Sequence, residues 1–297
     1  MTSSLDARLA TVLAREVHPA IARFAAQLAL DAGAVAVLFY GSNLRTGSLD
    51  GVIDYYVLLP GEPETGLWPR VSYREWENEG DMLRTKIATM TLAKFAEACR
   101  GETIDTTIWA RFVQPSALVH AADAATGQAV VDALKQAART AARVATLVGP
   151  ARGTEESFWL ALFRATYRAE LRVEKPGREK AILMAEADHF SGLLPAALAA
   201  DGIAVTRDGE LLEPRLDDDR RRAIRRWWKR RRRMGKLLNV ARLLYATQTF
   251  DGAGRYAAWK VERHTGVKVE VTPWREKHIF LCTPGVLWDI WRARRKA

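Results

Sequence analysis

The tightest constraint on this chain is a pair of short apolar runs, residues 34–40 and 52–59, with a glycine-bearing polar stretch between them. Both are rich in β-branched and aromatic residues and too short for core helices, so each is expected as a buried strand. Gly41-Ser42-Asn43 breaks the first run, and Pro60-Gly61 closes the second. Strands that are apolar on both faces need cover on both faces. The segment ahead of them reads as helix to about Ala32. Leu9, Val12, Leu13, Val17, Ile21, Phe24, Ala25 and Leu28 recur at helical spacing, with Ser3 and Ser4 as capping residues and Pro19 as an interruption. An α/β (α+β) protein is therefore expected.

The same reading extends along the chain. Residues 69–76 and 83–91 have extended character, and residues 92–100 suit a short helix. Residues 104–113 suit a strand or a helix ended by Pro115. An alanine-rich helix is expected over residues 121–147. Gly149, Pro150 and Gly153 mark the best boundary between a mixed-sheet domain (1–150) and a mostly helical C-terminal domain (151–297). In the second half, helices are expected over residues 155–173 and 179–200, and a hairpin turns at Arg207-Asp208-Gly209. A basic segment over 217–236 leads into a helix ending near Ala246, and a short helix closes the chain over 288–294.

Composition narrows the partners. Forty-five basic residues against 35 acidic ones leave a net charge of +10, so an acidic partner is expected: a nucleotide, an anionic membrane or a nucleic acid. The two cysteines, Cys99 and Cys282, have no near neighbour at metal-ligand spacing. A disulfide framework is not expected, and a reducing compartment fits. Residues 1–10 lack a basic segment followed by an apolar core, and no apolar run approaches the roughly 20 residues that span a bilayer. A cytoplasmic protein, peripheral on the inner face of a membrane, is the expectation.

The constellation that carries chemistry is Gly41-Ser42 after one strand and Asp54 in the next. Polymerase-β-like nucleotidyltransferases need this arrangement for physical reasons. Glycine lets the backbone approach a triphosphate, while a serine hydroxyl and nearby N–H groups donate to it. An aspartate on the adjacent strand holds Mg²⁺, a hard cation suited to carboxylate and phosphate oxygens. The superfamily form is Asp-x-Asp, but here Tyr56 stands at the second position. Asp50, Glu102, Asp105 or Glu170 are the candidates for another carboxylate.

Residues 39–43 with 52–55 resemble the Tam41-like phosphatidate cytidylyltransferases, which carry a Tyr-Gly-Ser turn and a later single aspartate on an apolar strand. Leu83-Arg84-Thr85-Lys86-Ile87 is similar to that family's basic strand, and Arg111-Phe112-Val113-Gln114-Pro115 to its Arg-Leu-x-Lys-Pro segment. Residues 166–172, followed by Lys180, resemble its Ser-Tyr-x-Gly-Asp-x-Arg segment, with Ala169 for glycine and Glu170 for aspartate. The resemblance implies a nucleotidyltransferase domain, a helical C-terminal domain, Mg²⁺, CTP and a CDP-lipid product.

Roles follow. Asp54, Lys86 and Arg172 are the expected catalytic residues, and Gly41, Ser42, Tyr167 and Lys180 the nucleotide-binding ones. Asp54 and Glu170 are the expected metal ligands. The expected partners are CTP, a phosphorylated lipid acceptor and an anionic membrane surface. Between Arg220 and Lys236 a dense run of cations surrounds Trp227 and Trp228, and Trp288 and Trp291 stand among cations at the end of the chain. Cations beside tryptophan suit a membrane interface. Nucleic acid is the less favoured partner for the same charges. Transfer to RNA or protein, or nucleotide binding without catalysis, are the alternative functions.

Overall fold

The computed structural model describes residues 4–170, 177–249, 252–265 and 269–272. The Ser4 hydroxyl accepts the Ala7 N–H and starts α1 (Leu5–Leu13). Pro19, whose missing N–H costs nothing in a first turn, begins a separate helix, α2 (Pro19–Ala32), which stops at left-handed Gly33. The single interrupted stripe is thus two helices serving opposite faces of one sheet. Leu5, Leu9 and Leu13 pack with Leu38, Tyr56 and Leu58. Ile21, Phe24, Ala25 and Leu28 pack with Val37, Phe39, Tyr55 and Val57. Alternation along the strands sends neighbouring residues to the two clusters.

That sheet contains β1 (Ala36–Tyr40), β2 (Val52–Leu59), β3 (Arg70–Asn78), β4 (Asp81–Thr91) and β5 (Ser116–Ala121), in the order β3-β4-β2-β1-β5. It is mixed: β2 runs parallel to β4, and the other neighbours are antiparallel. The short α3 (Ser42–Thr46) lies between β1 and β2. Thr91 ends β4 and caps α4 (Leu92–Cys99) by accepting the Lys94 N–H.

Residues 104–113 resolve to a helix, α5 (Thr107–Phe112), which the Asp105 carboxylate starts by accepting the Thr107 N–H. Strand β5 was not expected, because the stretch from Ser116 runs straight into the alanine-rich segment. Its pairing with β1 makes it a strand. The long α6 (Ala124–Val148) follows, capped by Asp123.

Beyond Gly149 come β6 (Gly153–Thr154), α7 (Glu155–Glu170), α8 (Arg178–Ala185), α9 (Ala187–Phe190) and α10 (Leu193–Ala200). One helix was expected over 179–200. Glu186 leaves helical geometry at φ −123°, and Gly192 adopts left-handed φ 76°, so three short helices form instead. A hairpin, β7 (Ala204–Asp208) and β8 (Leu211–Arg215), turns at Gly209 and pairs with β6. The 32-residue α11 (Asp218–Thr249) and α12 (Ala253–Thr265) complete the described elements. One buried cluster runs from Leu5 through α6 and α7 to Trp228, crossing residues 149–153. The final expected helix, with Trp288 and Trp291, lies outside the described residues. No described helix is long and apolar enough to cross a membrane.

The expectation that Trp227 and Trp228 face a membrane is corrected by α11. Trp228 is 5% exposed, and both rings pack against Trp109 of α5. The Trp227 indole N–H donates to the Gly101 carbonyl at 3.0 Å, and the Arg231 guanidinium stacks 3.9 Å from the Trp227 ring. Ile224, Trp228, Arg231 and Gly235 recur at helical spacing and form the buried face. At Gly235 a Cβ would lie 2.7 Å from the Ala169 carbonyl, so only glycine lets α11 cross α7 this closely.

His189 ties α9 to the first half of the chain: its Nε2 lies 2.8 Å from the Val113 carbonyl in a buried setting. Burial pushes its pKa down to about 4. The folded chain therefore holds the imidazole neutral while the unfolded chain protonates it below about 6.5. Stability contributed above that pH is lost as pH falls towards 4, by about 3 kcal/mol across the window. Urea unfolding of the wild type and His189→Gln between pH 7 and pH 4 checks this: the wild type should lose stability more steeply than the variant.

Candidate active site

The register of three strands builds the site. Tyr40 pairs with Asp54 across β1 and β2, and Asp54 pairs with Lys86 across β2 and β4. The chain leaves β1 at Gly41 with φ 96° and ψ −160°, a region side chains avoid. A Cβ on Gly41 would sit 3.1 Å from the Asp54 Oδ2. The bare backbone of Gly41 therefore lies directly against the carboxylate. Asn43 fixes the turn: its buried amide donates to the carbonyls of Ser48 at 2.9 Å and Asp50 at 2.8 Å. Ser42 remains exposed at the start of α3.

Asp54 is half-buried, and burial raises its pKa against the opposing pull of Lys86 and Arg111. Arg111 is the residue that sequence reasoning quoted but did not assign. Its Nη1 donates to the Tyr56 hydroxyl at 3.1 Å, and its guanidinium carbon lies 5.2 Å from the Tyr40 ring centroid and 5.9 Å from that of Tyr56. Burial opposes its charge. Tyr40, Tyr56, Asp54 and Glu170 outweigh burial and hold its pKa above the ordinary arginine value. The signal was present in the sequence: one cation inside the otherwise apolar Trp109-Ala110-Arg111-Phe112-Val113. Tyr56 also gains an explanation. Where a second aspartate was sought, a phenol receives a hydrogen bond from Arg111 and packs edge-on to Phe112 at 4.9 Å.

Among the candidates for another carboxylate, Asp50 and Glu102 are exposed, and Glu102 is bound by Arg100. Asp105 is buried but committed: it accepts from Thr107 and pairs with Arg242 of α11 at 2.6 Å. Glu170 ends α7, is 4% exposed and accepts the Thr106 hydroxyl at 2.7 Å. What Asp54 and Glu170 share is electrostatic contact with Arg111.

The remaining expected residues are placed as follows. Tyr167 is half-buried, stacks on Phe163 and acts on Arg45 of α3, so it borders the turn from the α7 side. Lys180 is exposed on α8. Arg172 lies outside the described residues.

Among the described residues no three His, Cys, Asp or Glu side chains gather in a metal-sized group. Asp54 does offer one carboxylate beside open backbone. Mg²⁺ commonly takes one or two carboxylates and completes its shell with substrate phosphates and water. This donor set fits a metal that takes its remaining ligands from phosphate or water oxygens. Two cavities, of ≈ 580 Å³ between α7, α8 and the hairpin and ≈ 780 Å³ between α1, α10 and β7, contain no member of the Asp54 cluster. Chemistry rather than volume marks the site.

The chain is thus a mixed α/β protein with a carboxylate, two cations and a glycine turn at the meeting point of three strands. No family model matches it, and no curated protein matches it.

Proposed function

We propose that the protein is a Mg²⁺-dependent nucleotidyltransferase that moves CMP from CTP to a phosphorylated lipid at an anionic membrane surface, giving a CDP-activated lipid and pyrophosphate. The observation that carries this reading is the contact between the Gly41 backbone and the Asp54 carboxylate, with Lys86 in register beside it. Choice of CTP and of a lipid phosphate rests on the resemblance of residues 39–55, 83–87, 111–115 and 166–172 to the Tam41-like family.

In this reading the acceptor's phosphate oxygen attacks the α-phosphorus of CTP, and the bond to pyrophosphate breaks. A phosphate monoester is largely ionised near neutral pH, so the chain needs no general base. Its work is positioning and charge. Gly41 lets the triphosphate approach the backbone, and the Ser42 hydroxyl donates to it. Asp54 and the phosphate oxygens would hold Mg²⁺, which would supply positive charge against that developing on the α-phosphate and leaving group. Lys86 offsets phosphate charge at the same place. Arg111 fixes Tyr56 by its hydrogen bond and, with Lys86, favours the charged form of Asp54. Tyr167 closes the α3 side, Arg172 serves as a phosphate contact, and Glu170, which shares the influence of Arg111 with Asp54, is the further carboxylate.

Exposed cations on α11 support the membrane part. Arg222, Arg225, Arg226, Lys229, Arg233 and Lys236 line one face, and exposed Leu237 and Val240 continue it. Cations alone suit nucleic acid equally, but apolar side chains on the same stripe suit a lipid interface. The test is pyrophosphate release with each of the four nucleoside triphosphates and Mg²⁺, with and without phosphatidic acid in detergent micelles. Release should require both CTP and the lipid. Release driven equally by RNA or by any triphosphate alone contradicts the assignment.

A further inference from the structure

Away from the Asp54 cluster, one carboxylate gathers three arginines. Asp201, after α10, has a side chain 1% exposed. It is bonded by Arg139 at 2.9 Å and Arg143 at 2.5 Å from α6, and by Arg220 at 2.6 Å from α11. One anion cannot neutralise three cations, and the arginine side chains remain 25%, 31% and 32% exposed. Positive charge in excess therefore stands at the edge where α6 and α11 meet.

Beside it the two helices leave a cavity of ≈ 240 Å³, bounded by Thr140, Arg143, Ala223, Ile224 and Trp227. Thr140 is not free to hydrate it, since its hydroxyl donates to the Cys99 carbonyl at 2.9 Å. The Trp227 indole N–H is likewise committed to Gly101. The wall is thus apolar apart from Arg143 at its mouth. A space this size exceeds the roughly 150 Å³ apolar cavity that takes up benzene, and falls below the ≈ 300 Å³ of the smallest ordinary ligand pockets. It suits a segment of hydrocarbon chain rather than a whole ligand. Along α11, exposed Arg226 and Arg230 stand three residues beyond Ala223 and Trp227 and extend the cationic edge.

We propose that this α6–α11 cavity takes an acyl chain of an anionic membrane phospholipid, whose headgroup phosphate meets Arg143, Arg220 and the exposed arginines of α11. Charge complementarity selects the occupant: a neutral chain leaves the net positive charge uncompensated, and a free anion leaves the apolar wall wet. The site rests on the membrane part of the proposed function but not on its chemistry. It would hold the enzyme on the surface by one captured lipid, separate from the acceptor at Asp54.

The experiment is calorimetric titration of the full chain with dioctanoyl phosphatidylglycerol below its micelle concentration, beside dioctanoyl phosphatidylcholine and inorganic phosphate. Saturable one-to-one binding of the anionic lipid is expected, about tenfold tighter than the zwitterionic one. Inorganic phosphate should not displace it. Ala223 is exposed and makes no polar side-chain contact, so Ala223→Phe and Ala223→Asp are expected to fold. Filling the cavity, or placing an anion at its mouth, should weaken binding about tenfold. Unchanged affinity in both variants, equal binding of phosphatidylcholine, displacement by phosphate, or absence of saturable binding each overturns the proposal. Pyrophosphate release measured on the same variants separates the two ideas. A chain that binds the lipid but transfers nothing loses the proposed function and keeps this site. A chain that transfers but does not bind loses only this site.

Discussion

Asp54→Ala is expected to lower pyrophosphate release by roughly 10³-fold or more, the scale seen when a charge-stabilising group is removed from a reacting centre. The fold should survive. Burial raises the pKa of Asp54, so its favourable contribution is present below the unfolded value of about 3.8 and is lost as pH rises through the folded value. At pH 7 the carboxylate is ionised against the cost of its burial while also offsetting the charge of Arg111, so Asp54→Asn, which keeps the shape without the charge, should unfold in urea near the wild-type midpoint. A group costly to the empty protein yet needed for turnover is the pattern expected of a site residue. Circular dichroism and urea midpoints, read beside the turnover assay, check the pair. Full activity in Asp54→Ala sinks the site assignment. A collapse in stability makes Asp54 a structural residue.

Arg111→Met should do the reverse and damage both properties. The guanidinium sits among Asp54, Glu170, Tyr40 and Tyr56 in a largely buried setting. Methionine removes the guanidinium that attracts both carboxylates and donates to the Tyr56 hydroxyl, so the urea midpoint should fall. Transfer should also fall, because Asp54 loses one of the two cations acting on it. Arg111→Lys should restore part of the stability, since the charge returns. It should restore less of the activity, because an ammonium cannot reproduce a planar guanidinium that lies over Tyr40 while donating to Tyr56. A wild-type urea midpoint for Arg111→Met contradicts the role given to this residue.

What the sequence disclosed follows from local physics. Strands β1 and β2 stood out because β-branched and aromatic runs ended at Gly41 and Pro60, and residues 52–59 matched the observed strand at both ends. The Gly41–Asp54 pair was legible for the same reason: strand register follows from where the glycine turn falls. Strand β5 was hidden because Ser116–Ala121 has no strong β signature and owes its state to pairing with β1. The tryptophans misled because composition says which residues share a helix and not which face meets a neighbour. Spacing from Ile224 to Gly235 held that answer, and it put Trp228 and Arg231 inside. Lys180 follows from order along the chain alone, and the structure adds that it is exposed on α8. Arg111 was passed over because buried arginines are rare, and only Tyr40, Tyr56, Asp54 and Glu170 assembled around it make it intelligible.

The most direct test of the central claim follows the label. The full chain would be incubated with Mg²⁺, phosphatidic acid micelles and CTP labelled at either the α- or the γ-phosphate, followed by extraction into organic solvent. The α-label is expected to enter the lipid phase and the γ-label to stay in water as pyrophosphate, and with Asp54→Ala no α-label should reach the lipid phase. An α-label that remains in water under every condition, with CTP bound by the protein, contradicts that claim.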